Sequence, residues 1–173
     1  GPHPLAGMGS GFNKLQTSQP ILVDLVHVHR GYVVDATRMF SIGQLPEPWE
    51  SRLLDMVEVS DTVVQSLGRG EDCSKAWQKG AELAGNMGHS EHLMGMKPDQ
   101  SQFLGHSVGL QLDESPVVAR GFDRPLVDSG VMAIEPKLVY SDGSIGLEDT
   151  WVKTAEGMER VTLVGNNQWL NHC

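Results

Sequence analysis

The stretch Pro20–Ile42, PILVDLVHVHRGYVVDATRMFSI, holds two runs rich in β-branched residues on either side of His29-Arg30-Gly31. Such runs favour strands, and a short break between them favours a hairpin. Each run carries one acid, Asp24 in the first and Asp35 in the second. Directly opposite residues of an antiparallel pair have a constant index sum. A two-residue loop at His29-Arg30 sets that sum at 59 and puts the acids face to face, whereas a loop at Arg30-Gly31 sets it at 61 and makes them diagonal neighbours. Either way they share one face of the sheet, with Cβ atoms within about 4.5–8 Å.

The arrangement repeats further along. Residues 131–140 and 144–153 read as a second hairpin around Ser141-Asp142-Gly143, with an Asp-Gly turn of the favoured kind. A loop at Ser141-Asp142 gives an index sum of 283, which sets Glu135 opposite Glu148. Ile21, Leu22, Val23 and Leu25 surround the first pair, and Val131, Met132, Ala133, Ile134, Leu147 and Trp151 the second. Paired acids in apolar surroundings repel each other and are costly to bury. A single such acid would be read as facing solvent on a sheet edge. Two matched pairs call for a cation between them, and two divalent ions bridged by carboxylates satisfy four acids at once. His106, in Leu104-Gly105-His106-Ser107-Val108-Gly109, adds a neutral imidazole. Taken alone, a histidine in a Gly-rich strand is more often a packed core residue than a ligand.

Between the hairpins, Pro46 and Pro48 introduce a helix to about Leu67, with Trp49, Leu53, Met56, Val57, Val63, Val64 and Leu67 near one face and Gly68-Arg69-Gly70 closing it. A second helix is expected from about Ser74 to Asn86, capped by Asp72 or Ser74. A loop over Gly88–Gln100 leads to a strand at about 103–112. Residues 120–130 are a connection, and a last short strand near 159–164 precedes a polar tail. The order hairpin, helices, strand, hairpin hints at internal pseudo-symmetry.

The chain of 173 residues suits one domain with a sizeable core, here residues 1–173. Apolar residues at 39 % and charged residues at 20 % exclude a disordered chain. A net charge of −9 argues against a nucleic-acid footprint. Two cysteines, Cys73 and Cys173, cannot build a disulfide framework, so a cytoplasmic protein is expected. No apolar run reaches the roughly 18–20 residues of a membrane span. The chain opens on Gly1-Pro2-His3-Pro4 without an initiator Met, and is expected to be a piece of a longer protein.

The runs VDLVHVHRGYVVDATRMF, FLGHSVGLQLDESP, VMAIEPKL and GLEDTWVKTAEG resemble the catalytic domain of the pita-bread metallopeptidases. That family includes methionine aminopeptidase, Xaa-Pro aminopeptidase and prolidase. The resemblance covers about residues 1–162 and holds four motifs in order. It implies an α+β pita-bread fold lacking its first helices and strand. It also implies a dinuclear centre held by Asp24, Asp35, His106, Glu135 and Glu148, and hydrolysis near the N-terminus of a peptide by a metal-bridging hydroxide. His106 and Glu135 are the catalytic residues so implied, and Glu135 is the candidate for moving a proton between water and leaving nitrogen. Carboxylate-rich ligation with one His suits Mn, Co, Fe or Zn. A peptide or small-molecule substrate is expected, with no nucleic-acid or membrane partner. Dimers are common in the family, so a homodimer is a possible assembly.

Four positions depart from the family. Met8, Asp113 and Gln102 stand where relatives carry substrate-handling histidines, and Gly146 where an Arg is often found. The departures leave two alternatives to an Xaa-Pro peptidase: a metal-dependent hydrolase or lyase of a small metabolite, or a metal-binding module without catalysis. Asp113 reads equally as a partner for a cationic substrate group or as a surface acid. Other candidates are set aside. His89-Ser90-Glu91-His92 lacks the spacing that puts two histidines on one helical face. His27 and His29 have the opposite parity to Asp24. Cys73 lacks a nucleophile's context. Met87, Met94 and Met96 suit core filling, and Gly105-x-x-x-Gly109 has no Lys-Ser/Thr after it.

Overall fold

A computed structural model describes residues 11–12, 14–162 and 169–173. Met8 therefore lies outside the described residues. The first hairpin pairs β1 (Ile21–His29) with β2 (Tyr32–Ser41). His29 faces Tyr32, so the index sum is 61 and the turn is Arg30-Gly31. Both turn residues have positive φ, +53° and +89°. That is the mirror-image turn whose twist suits a two-residue hairpin, and Gly31 adopts it without steric cost.

Helix α1 (Trp49–Gly68) follows as expected and α2 (Cys73–Asn86) starts one residue early. Asp72 precedes α2, but its side chain makes no capping hydrogen bond. The buried stripe of α1 includes Val59, Ser60 and Ser66 as well as the expected apolar residues, while Val57 is only partly buried. Val59 and Val63 of α1 meet α2 at Gly80, which has no side chain to hold them off. A Cβ there would lie 2.7 Å from Leu104 and 2.8 Å from Val63.

The remaining strands are β3 (Phe103–Ser107), β4 (Glu114–Ala119), β5 (Val131–Ile134), β6 (Lys137–Tyr140), β7 (Gly143–Gly146), β8 (Asp149–Thr154), β9 (Gly157–Arg160) and β10 (Leu170–His172). Five of them form an antiparallel sheet in the order β4-β3-β5-β8-β9. β6 and β7 make a separate ribbon, and β10 runs parallel to the far end of β2. One core cluster joins Leu53, Met56, Val63 and Leu67 of α1 to Leu104, Met132 and Ile134 of the five-stranded sheet and to Leu138 and Ile145 of the ribbon.

The second hairpin differs from expectation in form but not in register. It is broken after Ile134 and again before Asp149, so β5/β8 and β6/β7 are two short ladders rather than one. Pro136 has no N–H to donate and interrupts the strand. The index sum is nonetheless 283 on both sides of the break. Even at the break Leu147 N donates to the Pro136 carbonyl, a pair of that same sum. The turn residues are Ser141 and Asp142, and Gly143 opens β7 opposite Tyr140 rather than serving as half of an Asp-Gly turn.

Three other expectations need correction. The strand placed at 103–112 ends at Ser107, because the chain reverses to form β4 beside it. β4 contains Pro116, which is tolerated because β4 is the edge of its sheet. The strand placed near 159–164 is Gly157–Arg160, and part of the expected polar tail is β10.

Gly105 on β3 is the tightest backbone approach near the centre of the sheet. A Cβ there would run into the Ala133 carbonyl and lie 2.9 Å from the Ile134 side chain. Gly105→Ala is therefore expected to lose about 1–3 kcal/mol as neighbouring strands are forced apart. Urea unfolding of the variant checks this, and an unchanged midpoint would contradict it.

Candidate metal centre

The two hairpins are joined by a β-bridge between Thr37 and Glu148. Thr37 N donates to the Glu148 carbonyl at 3.1 Å, and Glu148 N to the Thr37 carbonyl at 3.2 Å. Thr37 is also the β2 partner of Asp24 of β1. One residue of β2 thus has an acid of β1 on one flank and Glu148 on the other. Asp35 lies two residues earlier on β2, on the same face by strand alternation. Its backbone is tied to β8: Asp35 N donates to Thr150 Oγ1 at 3.1 Å, and that hydroxyl donates to the Asp35 carbonyl at 2.8 Å.

His106 enters from β3, opposite Ala133 of β5. Glu135 follows directly after β5, and its N–H donates to the Leu104 carbonyl at 3.0 Å. Backbone bonds to a third strand thus aim each glutamate: Glu135 by β3 and Glu148 by β2. Ligand atoms of Asp35, His106 and Glu148 lie within 4.8 Å of one another, and all three residues are buried. Glu135 Oε1 is 3.3 Å from His106 Nε2. Asp24 belongs to the same pocket but is exposed on β1, and it bears on Asp35 by its charge. The structure therefore gathers Asp35, His106, Glu135 and Glu148 tightly, with Asp24 at the mouth.

Two oxygens decide what this pocket can hold. Asp35 Oδ1 and Glu148 Oε1 are buried without a hydrogen-bond partner. Buried carboxylate oxygens are almost always bonded, and oxygen-rich carboxylate sites with one imidazole are ligand sets for a divalent ion. The residues present fit such an ion.

Three residues of the site pass unnoticed in the sequence. Thr37 Oγ1 donates to Glu148 Oε2 at 3.0 Å, and Thr150 holds the Asp35 backbone. Lys137 is a buried lysine whose Nζ lies 2.7 Å from Glu135 Oε2. Each stands two residues from an acid already singled out, so extending the alternation rule by one step would have found them. Behind Glu148, Arg38 donates to the Thr37 carbonyl at 2.9 Å, the Glu148 carbonyl at 2.8 Å and Asp149 Oδ1 at 2.7 Å. This clamp sits on the far side of the bridge and holds it shut.

The remaining candidates fall elsewhere. Asp113 is exposed, yet its Oδ1 lies 3.5 Å from His106 Nδ1, so it borders the site rather than a remote surface. Gln102 is exposed and donates to the Gln100 carbonyl at 3.5 Å. His27 and His29 are exposed on β1. His89 pairs with Asp55 at 2.7 Å, and His92 bonds the Val139 carbonyl and stacks on Tyr140. Met94 and Cys73 are core residues, and burial pushes the Cys73 thiol up to about 11.

Crowding of acids sets the proton affinities. Burial, followed by the charges of Asp24 and Glu135, pushes the Asp35 carboxyl up to about 7. Burial and then Glu135 and Asp35 raise Glu148 well above the carboxylate range. Burial acts in the same direction on Glu135, but the donors His106 and Lys137 outweigh it and hold Glu135 low. Burial lowers His106, and the opposing bond and charge of Glu135 prevail, raising it to about 9. An acid raised on folding binds its proton more tightly in the folded state. Its contribution to stability is complete below the ordinary value of 3.8 and is lost as the pH climbs through about 7. The metal-free protein is therefore expected to lose thermal stability over that window. Asp35→Asn should flatten the fall, and a divalent ion added at the upper end should reverse it. Thermal melts against pH with and without chelator check this, and a midpoint that rises across the window would contradict it.

Comparisons with known proteins show the fold and the family. The solved X-Pro aminopeptidase from Thermotoga maritima superposes with a TM-score of 0.86 at 20 % identity, over 98 % of this chain and 46 % of that one. A dipeptidase from Pyrococcus horikoshii gives 0.83 at 21 % identity, over 94 % and 44 %. These likenesses show the fold, the α+β pita-bread architecture. Among curated sequences, the Xaa-Pro dipeptidase of Lactobacillus delbrueckii subsp. lactis is 29 % identical over 163 residues, spanning 89 % of this chain and 40 % of the relative. The Xaa-Pro dipeptidase of Pyrococcus horikoshii is 24 % identical over 150 residues, spanning 86 % and 41 %. The chain thus spans about two fifths of the length of the curated relatives it matches. The family model for metallopeptidase family M24 matches residues 3–155, nearly the whole chain, and the chain belongs to that family.

Proposed function

We propose that this protein is a divalent-metal-dependent peptidase of the Xaa-Pro dipeptidase or aminopeptidase kind. The observation that carries the reading is the buried convergence of Asp35, His106 and Glu148 with two unpartnered carboxylate oxygens. The names of the similar curated proteins support Xaa-Pro peptides as the substrate class. Asp35, His106 and Glu148 would hold the ion, with Glu135 and Asp24 completing a five-residue set for a pair of ions. Mn, Co, Fe and Zn all suit these donors. A divalent ion held there supplies Lewis acidity and brings water closer to ionisation near neutral pH.

The chain's own residues then divide the work. Glu135 is held ionised by Lys137 on one oxygen and faces His106 with the other. An ionised carboxylate so placed accepts a proton from the attacking water and returns it to the leaving nitrogen. His106 is oriented from behind, where its Nδ1 faces Asp113 Oδ1 at 3.5 Å and the Ser107 carbonyl at 3.3 Å. Thr37 steadies one oxygen of Glu148 and leaves the other open toward the pocket. The cysteines are both free, which supports a reducing, cytoplasmic setting. Among the described residues no helix is long and apolar enough to cross a membrane.

The test is turnover of a panel of Xaa-Pro dipeptides and longer Xaa-Pro peptides by the protein loaded with Mn or Co. Glu135→Gln is expected to lower kcat by about 10²–10⁴-fold while elemental analysis still finds the metal. Silence of the wild type on every peptide, with metal bound, would overturn the peptidase reading.

A further inference from the structure

Asp113 is an acid beside the pocket that the metal reading does not use. It stands in the loop between β3 and β4, its Oδ1 3.5 Å from His106 Nδ1, and its side chain is 76 % exposed where that of His106 is 7 % exposed. The backbone around it fixes its place. Val33 N of β2 donates to the Gly109 carbonyl at 2.7 Å, which ties the start of the loop to the first hairpin. Gln111 N donates to Glu114 Oε1 at 2.8 Å, which closes the loop across Asp113.

No basic side chain matches this carboxylate. Among the described residues, Lys137 is the only lysine or arginine in an ion pair with any of Asp24, Asp35, Asp113, Glu135 and Glu148. Lys137 is buried, and its ammonium is already 2.7 Å from Glu135 Oε2. Opposite it stands Gly146, where a Cβ would lie 2.5 Å from Lys137 Cβ, so a second cationic side chain has no room at that corner. Asp113 is outside the ligand set, so its charge is not among those that a bound ion neutralises directly. Its neighbour His106 is neutral when it serves as a ligand.

Asp24 and Asp113 are the exposed acids of the constellation, and they mark where solvent reaches the buried ones. A substrate whose scissile bond lies at His106 meets this acidic rim. In an Xaa-Pro dipeptide the proline carries the terminal carboxylate, one residue from the bond to be cut. In a longer peptide the same position is a neutral amide. Like charges about 8 Å apart at the effective dielectric of a protein surface weaken binding by about tenfold.

We infer that Asp113 sets the substrate class by excluding a carboxylate on the second residue. The protein then acts on Xaa-Pro peptides of three or more residues, and on Xaa-Pro amides, rather than on free dipeptides. The inference rests on the peptidase reading above and chooses between its two kinds, the aminopeptidase over the dipeptidase.

Ala-Pro, Ala-Pro amide and Ala-Pro-Ala, offered to the Mn-loaded protein, test it. Wild type is expected to show kcat/KM about tenfold higher for the amide and the tripeptide than for the dipeptide, mainly through KM. In Asp113→Asn the amide-to-acid ratio should fall toward one, and in Asp113→Glu it should persist. Each ratio is taken within one protein, so a change at His106 common to both substrates cancels. Added salt should narrow the ratio in wild type by screening the exposed carboxylate, a readout that needs no variant to fold. A wild-type ratio near one, or a ratio that Asp113→Asn leaves intact, would overturn the inference while the peptidase reading stands. Turnover of none of the three substrates would overturn both.

Discussion

Three carboxyl groups, those of Asp35, Glu135 and Glu148, converge where water is largely excluded, and much of this molecule is arranged to make that tolerable. Isolated burial of even one ionised carboxylate is costly. The protein meets the problem with donors placed one by one: Thr37 on Glu148, and Lys137 and His106 on Glu135. It leaves two oxygens unanswered, on Asp35 and Glu148. Those two carboxyls are also the ones whose proton affinity is raised, as acids lacking a partner must be. Unsatisfied groups in a well-packed core usually signal function. Here they mark the side of the pocket whose oxygens suit a cation.

The scaffold around the pocket is ordinary by comparison. A helix pair packs on one side of an antiparallel sheet, with Gly80 allowing the close approach of α2 to α1 and β3. Behind the bridge, Asp149 is almost fully buried and accepts from Arg38, Arg160 and Thr162. Removing one partner of such a buried network costs more than the network adds over an apolar core. Its value is geometric, since Arg38 also holds the Thr37 and Glu148 carbonyls. The neighbour of a candidate ligand is thus the anchor of the joint between the two hairpins.

The hairpins were legible because alternation and index sums are local rules. They put Asp24 and Asp35 on one face, and the sum of 283 survived even where Pro136 breaks the strand. The helices were legible from their punctuation and spacing. What was not legible depends on contacts between distant segments. β4 was hidden by Pro116, which only an edge position permits. β10 is three residues long and draws its pairing from β2. Lys137 is marked only by its parity with Glu135; a lysine in a strand otherwise reads as surface until Gly146 opposite and Glu135 beside it are seen together. Asp113, balanced between two readings, is placed by the fold beside His106.

The bridge between Thr37 and Glu148 joins residues 111 apart in the chain. Each hairpin can zip from its own turn, at the small entropic cost of a short loop. The bridge must close a far longer loop, so its contacts reward the chain only after most of the ordering is done. The acids of one hairpin are therefore kept from those of the other until the helices and the central sheet have brought them together. A nascent chain presents two separate pairs of carboxylates, each a weak and unselective trap for cations. The concentrated negative field belongs to the finished fold, and appears at the stage when Arg38, Lys137 and the threonines are in position to contain it.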